Sequence, residues 1–111
     1  MSSGETDVSG TKFTDEALID LYLKRDEHAL RATAGKYGNY LRAVALNILG
    51  DADDCDECLN DAYFSAWNHI PPDRPRSFLA YLTRIVRNLA LDRVKEKRRR
   101  KRIPPEKHLN P

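Results

Sequence analysis

Between Leu49 and Trp67 the chain reads LGDADDCDECLNDAYFSAW. Cys55 and Cys58 stand in a Cys-x-x-Cys pair among the carboxylates of Asp51, Asp53, Asp54, Asp56, Glu57 and Asp61, and no lysine or arginine interrupts the stretch. Two chemistries could use this set. A Cys-x-x-Cys pair is half of a structural zinc site or the dithiol of a redox centre. A dense row of carboxylates is a docking face for something basic.

The thiol chemistry lacks support. A structural zinc site takes four ligands, usually from two paired elements. The remaining candidates are His28, His69 and His108, and none has a second histidine or cysteine at ligand spacing. Nor does the pattern around the pair have the strand-and-helix setting of a thioredoxin-like dithiol. The simpler reading is that both cysteines fill small positions on a helix, with Cys55 partly buried. A metal or redox sensor is kept as a rival, and no metal site or cofactor is assigned.

The carboxylates say more. At 3.6 residues per turn, Asp53, Asp56, Glu57, Asn60 and Asp61 share one polar face opposite Leu59, Ala62 and Ala66. A solvated helix face is the plain reading. Yet like charges so close repel, and no basic residue within the stretch relieves them. A basic partner would.

The opposite charge collects near the other end. Arg84, Arg87, Arg93, Lys95, Lys97, Arg98, Arg99, Arg100, Lys101 and Arg102 are offset in that window by Asp92 and Glu96 alone. A net charge of +2 hides this segregation. A solvated tail or a localisation patch is the bland alternative. Nucleic acid fits better, because Arg84, Arg87, Asn88, Leu91 and Lys95 lie on the side of a helix away from its apolar stripe. Arginine and asparagine suit base edges, and the remaining cations suit phosphates. Tyr63, Phe64, Trp67, Phe78 and Tyr81 gather at the corner between this helix and the acidic one, where an exposed ring could stack on an unpaired base. The sequence holds no nucleophile–base–acid set, no Gly-rich phosphate loop and no HExxH, so it does not read as an enzyme.

Helices must position these groups, and hydrophobic periodicity supplies four. A length of 111 residues allows one small domain. Residues 1–13 read as a disordered N-terminal segment rich in Ser, Gly and Thr. Thr14 caps a short helix with Asp15 and Glu16 in its first turn and Leu18, Ile19, Tyr22 and Leu23 on its apolar side, ending near Arg25. Asp26 caps a longer one to about Leu49, with Leu30, Ala34, Tyr37, Leu41, Val44, Ala45 and Ile48 inward. Gly35 and Gly38 weaken its middle and point to a kink or a close helix approach. Gly50 ends it.

Asp51 caps the third helix, with Asp54 completing an approximate capping box. Cys55, Leu59, Ala62, Tyr63, Ala66 and Trp67 face inward, and Pro71 and Pro72 close it. Pro75 is expected in the first turn of the fourth helix, which buries Phe78, Leu82, Ile85, Val86 and Leu89. That helix is expected to dissolve into KEKRRRKR before Pro104 and Pro105. No strand pattern appears. The expected fold is all-α, a small bundle of four helices over residues 14–102, followed by residues 103–111 as the start of an interdomain linker. No signal-peptide or membrane-span pattern is present, and two cysteines suit a reducing compartment, so cytoplasm is expected.

In their order and spacing, LYLKRDEHAL, YLRAVALNILGD, DDCDECLNDAYFSAW and FLAYLTRIVRNLALDRVKEKRRR resemble region 2 of the bacterial sigma-70 family of initiation factors, in particular its extracytoplasmic-function (ECF) group. The resemblance spans Asp15 to Arg102. It implies a sigma region 2-like bundle whose third helix docks on the clamp helices of the largest catalytic subunit of core RNA polymerase. The matching positions are Asp54, Asp56, Glu57, Asn60 and Asp61, with Glu57 where Asp is common and Asn60 where Gln is common. It implies that the loop Asn68–Ser77 captures a base flipped from the promoter −10 element, and that the fourth helix helps melt and read that element. The DNA-binding positions are then Asn68, Arg74, Arg76, Ser77, Tyr81, Arg84, Arg87, Asn88, Asp92, Arg93 and Lys95, with Tyr81 in place of the more usual Trp. The expected DNA is mainly single-stranded. An anti-sigma factor is a further partner of such domains. Relatives of this group normally carry a second domain, region 4, that reads the −35 element, and here it is expected to be absent. The rival reading is a protein-interaction adaptor, or an anti-sigma-binding fragment, that uses the acidic helix without opening promoters.

Overall fold

The computed structural model describes residues 13–102, so the readings of residues 1–12 as disordered and of 103–111 as linker lie outside the described residues, as does His108. The fold is all-α: α1 Asp15–Leu23, α2 His28–Leu49, α3 Ala52–His69 and α4 Phe78–Arg102, with no strand among the described residues. No helix there is long and apolar enough to cross a membrane.

Local chemistry sets most of the ends. The Thr14 hydroxyl accepts from the Ala17 N–H at 3.1 Å, and Asp26 Oδ1 accepts from the His28 N–H at 2.9 Å. Asp51 accepts from the N–H groups of both Asp53 and Asp54 and so opens α3. Gly50 closes α2 with φ 73°, a left-handed conformation that costs glycine nothing.

The α1–α2 turn uses the same closure without glycine. The Asp26 N–H reaches the Leu21 carbonyl and the Arg25 N–H the Tyr22 carbonyl, a Schellman arrangement with Arg25 at φ 58°.

Tyr22, fully buried, anchors the core. Its ring meets Phe78 edge-on at 5.6 Å and Trp67 at 6.2 Å, and its hydroxyl lies 2.7 Å from that of Thr33. The Thr33 hydroxyl donates to the Ala29 carbonyl at 2.7 Å, so Tyr22 is the donor of the pair. Leu18, Leu41, Ala45, Ile70, Leu82 and Val86 are buried with it. Each large apolar side chain so buried contributes roughly 1.5–3 kcal/mol.

Five expectations change. Ala34 is exposed, and the buried face at the start of α2 runs through Ala29 and Thr33 instead. Thr33 is polar and escapes a hydrophobic pattern, yet Tyr22 and the Ala29 carbonyl satisfy it. Gly35 and Gly38 produce no break in α2, while a Cβ at Gly38 would lie 3.6 Å from the Tyr63 hydroxyl, so the close approach is there and the kink is not. Pro75 stays in the loop. Ser77 starts α4 instead, its Oγ accepting from the Ala80 N–H at 3.2 Å and its carbonyl from the Tyr81 N–H at 3.0 Å, because serine is the stronger cap. Finally, α4 does not dissolve: it stays helical through Arg102, since Lys, Arg and Glu are good helix formers. Phe13, placed in the N-terminal segment by its sequence, packs at the core edge, and its carbonyl accepts from Lys36 Nζ at 2.9 Å.

Candidate functional site

The acidic helix packs beside the basic one. Cys55, Cys58, Leu59, Ala62 and Ala66 face the core, so the carboxylates are turned outward on α3. Both cysteines are fully buried and free, a deeper placement than the partial burial expected for Cys55. Cys58 Sγ lies 3.7 Å from the Val86 carbonyl, which it meets as a donor. Burial pushes both thiols above their ordinary range, which suits packing and not thiolate chemistry. His28 and His69 have local partners: the Asp26 carboxylate at 3.0 Å and the Ser65 carbonyl at 2.7 Å.

The carboxylates are not alone. Arg93 of α4 contacts Glu57 at 3.1 Å and Asp61 at 2.7 Å. One turn on, Lys97 pairs with Asp54, and Arg42 of α2 pairs with Asp56. The antiparallel run of α3 and α4 makes this ladder: residue numbers fall on one helix as they rise on the other. Proximity to these carboxylates raises the pKa of Arg42 and Lys97, and for Arg93 it outweighs the lowering effect of burial. The relief that the α3 sequence lacks within itself therefore comes from its neighbours. Lys97 and Arg42 were not expected in this role. The signal was present, because Arg93 and Lys97 stand one turn apart opposite Asp54, Glu57 and Asp61.

This placement divides the expected DNA-binding set. Arg84, Arg87, Asn88, Asp92 and Lys95 are exposed on α4, with Arg84, Asn88 and Lys95 in one row on the side away from Val86 and Ala90. Arg93 is not with them. It points to α3, with 28% of its side chain accessible.

Tyr81 is half-buried. Its ring stacks on Phe78 at 6.4 Å, and its hydroxyl donates to Asp73 Oδ2 at 3.0 Å. Burial raises its pKa and the Asp73 carboxylate raises it further. Tyr81 thus ties the loop to the helix, and Asp73 is a positioning residue that the sequence did not single out.

Asn68, Arg74, Arg76 and Ser77 are exposed on and beside the loop. Arg74, Pro75 and Arg76 form one wall of a groove of about 320 Å³, and Asp15, Glu16, Ile19, Asp20 and Leu23 of α1 form the other. A second unexpected residue steadies the start of the loop. The Arg25 guanidinium donates to the carbonyls of Trp67 and Ile70, both at 2.8 Å, and lies 3.8 Å over the Trp67 ring. A cation at the C-terminal end of a helix opposes its dipole favourably.

The family model for sigma-70 region 2 matches residues 34–100. The chain belongs to the sigma-70 region 2 family. No curated protein and no solved structure matches it. Membership gives the chain a sigma-factor-like role in transcription initiation, and the partners of this family are core RNA polymerase and promoter DNA. The matched span begins inside α2 and takes in α3, the loop and most of α4. In this sigma-70 region 2 domain α1 precedes the matched span, and it supplies a wall of the groove beside the loop.

Proposed function

We propose that this is a sigma module of the ECF group, acting in the cytoplasm, whose working unit is residues 14–102. Its α3 face, through Asp54, Asp56, Glu57, Asn60 and Asp61, docks on the clamp helices of the largest subunit of core RNA polymerase. Its α4 face and the loop recognise and help melt the −10 element. The observation that carries this reading is the sorting of charge onto two faces of adjacent helices, acidic on α3 and Arg/Asn/Lys on the outer side of α4.

The physics is strand capture. Opening the duplex costs stacking and pairing energy, least at weak steps. Phosphate contacts from Lys95 and its neighbours offset that cost. Arg84, Arg87 and Asn88 face base edges, and the groove between α1 and the loop holds an unstacked base. The domain makes and breaks no covalent bond.

The test uses purified core polymerase and single-stranded −10 oligonucleotides. Wild type binds polymerase, and Asp56→Arg or Asn60→Ala weakens it. Arg84→Ala, Arg87→Ala and Asn88→Ala weaken oligonucleotide binding by the polymerase-bound domain. Failure of wild type to bind polymerase overturns the docking reading. Docking without any effect of the α4 substitutions on DNA favours an adaptor.

A further inference from the structure

The outermost line of α3 ends on a phenylalanine. Asp53, Glu57, Asn60 and Phe64 follow at helical spacing, opposite the buried row of Cys55, Cys58, Ala62 and Ala66. Phe64 is 56% exposed, more than Tyr40, Leu46 or Leu91, the other exposed large apolar residues among those described. It stands one turn beyond Asn60 and three residues beyond Asp61.

From this placement we infer that Phe64 is the apolar anchor of the polymerase-docking face, received by the arginine side chains and aliphatic stems of a basic helical surface. The inference rests on the docking reading and adds the residue that carries its affinity. Charge alone is a weak source here. Asp54, Asp56, Glu57 and Asp61 already have Lys97, Arg42 and Arg93 as partners, so a basic visitor gains little from new ion pairs at these four. Interfaces draw most of their affinity from a few well-packed side chains, aromatic ones prominent among them, ringed by polar groups that exclude water. Phe64 beside Asn60, Asp61 and Glu57 has that composition.

The acidic rim selects the sign of the partner, and the ring suits it chemically. A guanidinium stacks on an aromatic face while its stem covers the edge. The line also continues the surface on which docking is proposed, so one partner helix can lie along Asp53, Glu57, Asn60 and Phe64 together.

The full chain and purified core RNA polymerase test this by equilibrium binding at fixed ionic strength. Phe64→Ala weakens binding about tenfold or more. Phe64→Leu keeps more of it than Phe64→Ala, and Tyr40→Ala, which removes an exposed aromatic from α2, leaves it unchanged. Circular dichroism and the melting temperature stay at wild-type values, because the ring is not in the core. If Phe64→Ala binds like wild type while Asn60→Ala or Asp56→Arg binds weakly, the anchor is wrong and the docking reading stands. If wild type does not bind polymerase, both fall.

Discussion

Arg93 on α4 and Asp61 on α3 meet at 2.7 Å, and through this contact the basic helix of the domain pairs with its acidic one. The pairing separates Arg93 from Arg84, Arg87 and Asn88, its neighbours in sequence, and gives it a different duty.

Arg93→Ala should therefore act on stability. The pair is partly exposed, so the expected loss is about 0.5–1.5 kcal/mol, visible as a lower urea midpoint. Binding of a single-stranded −10 oligonucleotide should change little. Arg84→Ala should do the reverse, leaving the midpoint in place and lowering DNA affinity several-fold. The opposite pattern in the two variants would return Arg93 to the DNA face.

Arg25 offers a test with an unusual sign. In most positions glycine destabilises more than alanine. At φ 58° alanine keeps the left-handed penalty and glycine does not. Both variants lose the caps on the Trp67 and Ile70 carbonyls. Arg25→Gly should thus be more stable than Arg25→Ala by about 1 kcal/mol, and both less stable than wild type. Equal midpoints for the two variants would mean that the turn relaxes when the guanidinium is gone.

Alkaline pH should unfold the domain through Tyr22. Burial pushes its pKa up to about 12 from an ordinary value of 10.0. A group with a raised folded pKa stabilises fully below its unfolded pKa and loses that contribution as pH rises through the folded one. The window is therefore pH 10 to 12, and the loss is roughly 2–3 kcal/mol. Tyr22→Phe should flatten this limb. Tyr63 and Tyr81, also raised, leave part of the slope. At neutral pH the same variant costs about 1 kcal/mol, since the Thr33 hydroxyl keeps its bond to the Ala29 carbonyl. A limb as steep in Tyr22→Phe as in wild type would remove Tyr22 from this role.

The cysteines should be inert. With both thiols buried, alkylation of the folded domain should run roughly 100-fold slower than in denaturant. Stoichiometric zinc in the purified protein, lost in Cys55→Ser, would show instead that the pair is a ligand set.

What the sequence disclosed was local. Thr14, Asp51 and Gly50 act within a turn of where they stand, so they could be placed by spacing alone. The apolar rows of α3 and α4 were equally readable, because each is buried or half-buried at every position in the row. Contacts between distant residues were hidden. Thr33 is buried only because Tyr22 comes down on it from another helix. Arg25 caps a helix more than forty residues away, and nothing near it in the chain says so. The carboxylates of α3 looked unrelieved because repulsion was weighed along one helix, while the relief comes across two. Pro75 and Ser77 both suited the start of α4, and one helix has room for one start. The outward faces of the acidic and basic helices were legible from periodicity, their assignment to polymerase and DNA came from the resemblance, and the departure of Arg93 from the basic face to α3 was visible only once the bundle was assembled.

The ladder between α3 and α4 also shapes how a visitor is received. Its carboxylates are seats already partly taken, so arrival is in part a substitution: a newcomer at Asp54 or Asp61 shares the carboxylate with Lys97 or Arg93, or displaces it. Little counterion is released in such a swap, and docking should depend on salt more weakly than the number of acidic residues suggests. Any Lys97 or Arg93 displaced in this way is left on α4, the helix proposed to meet the promoter, so whatever claims the acidic face should leave the other one more positive.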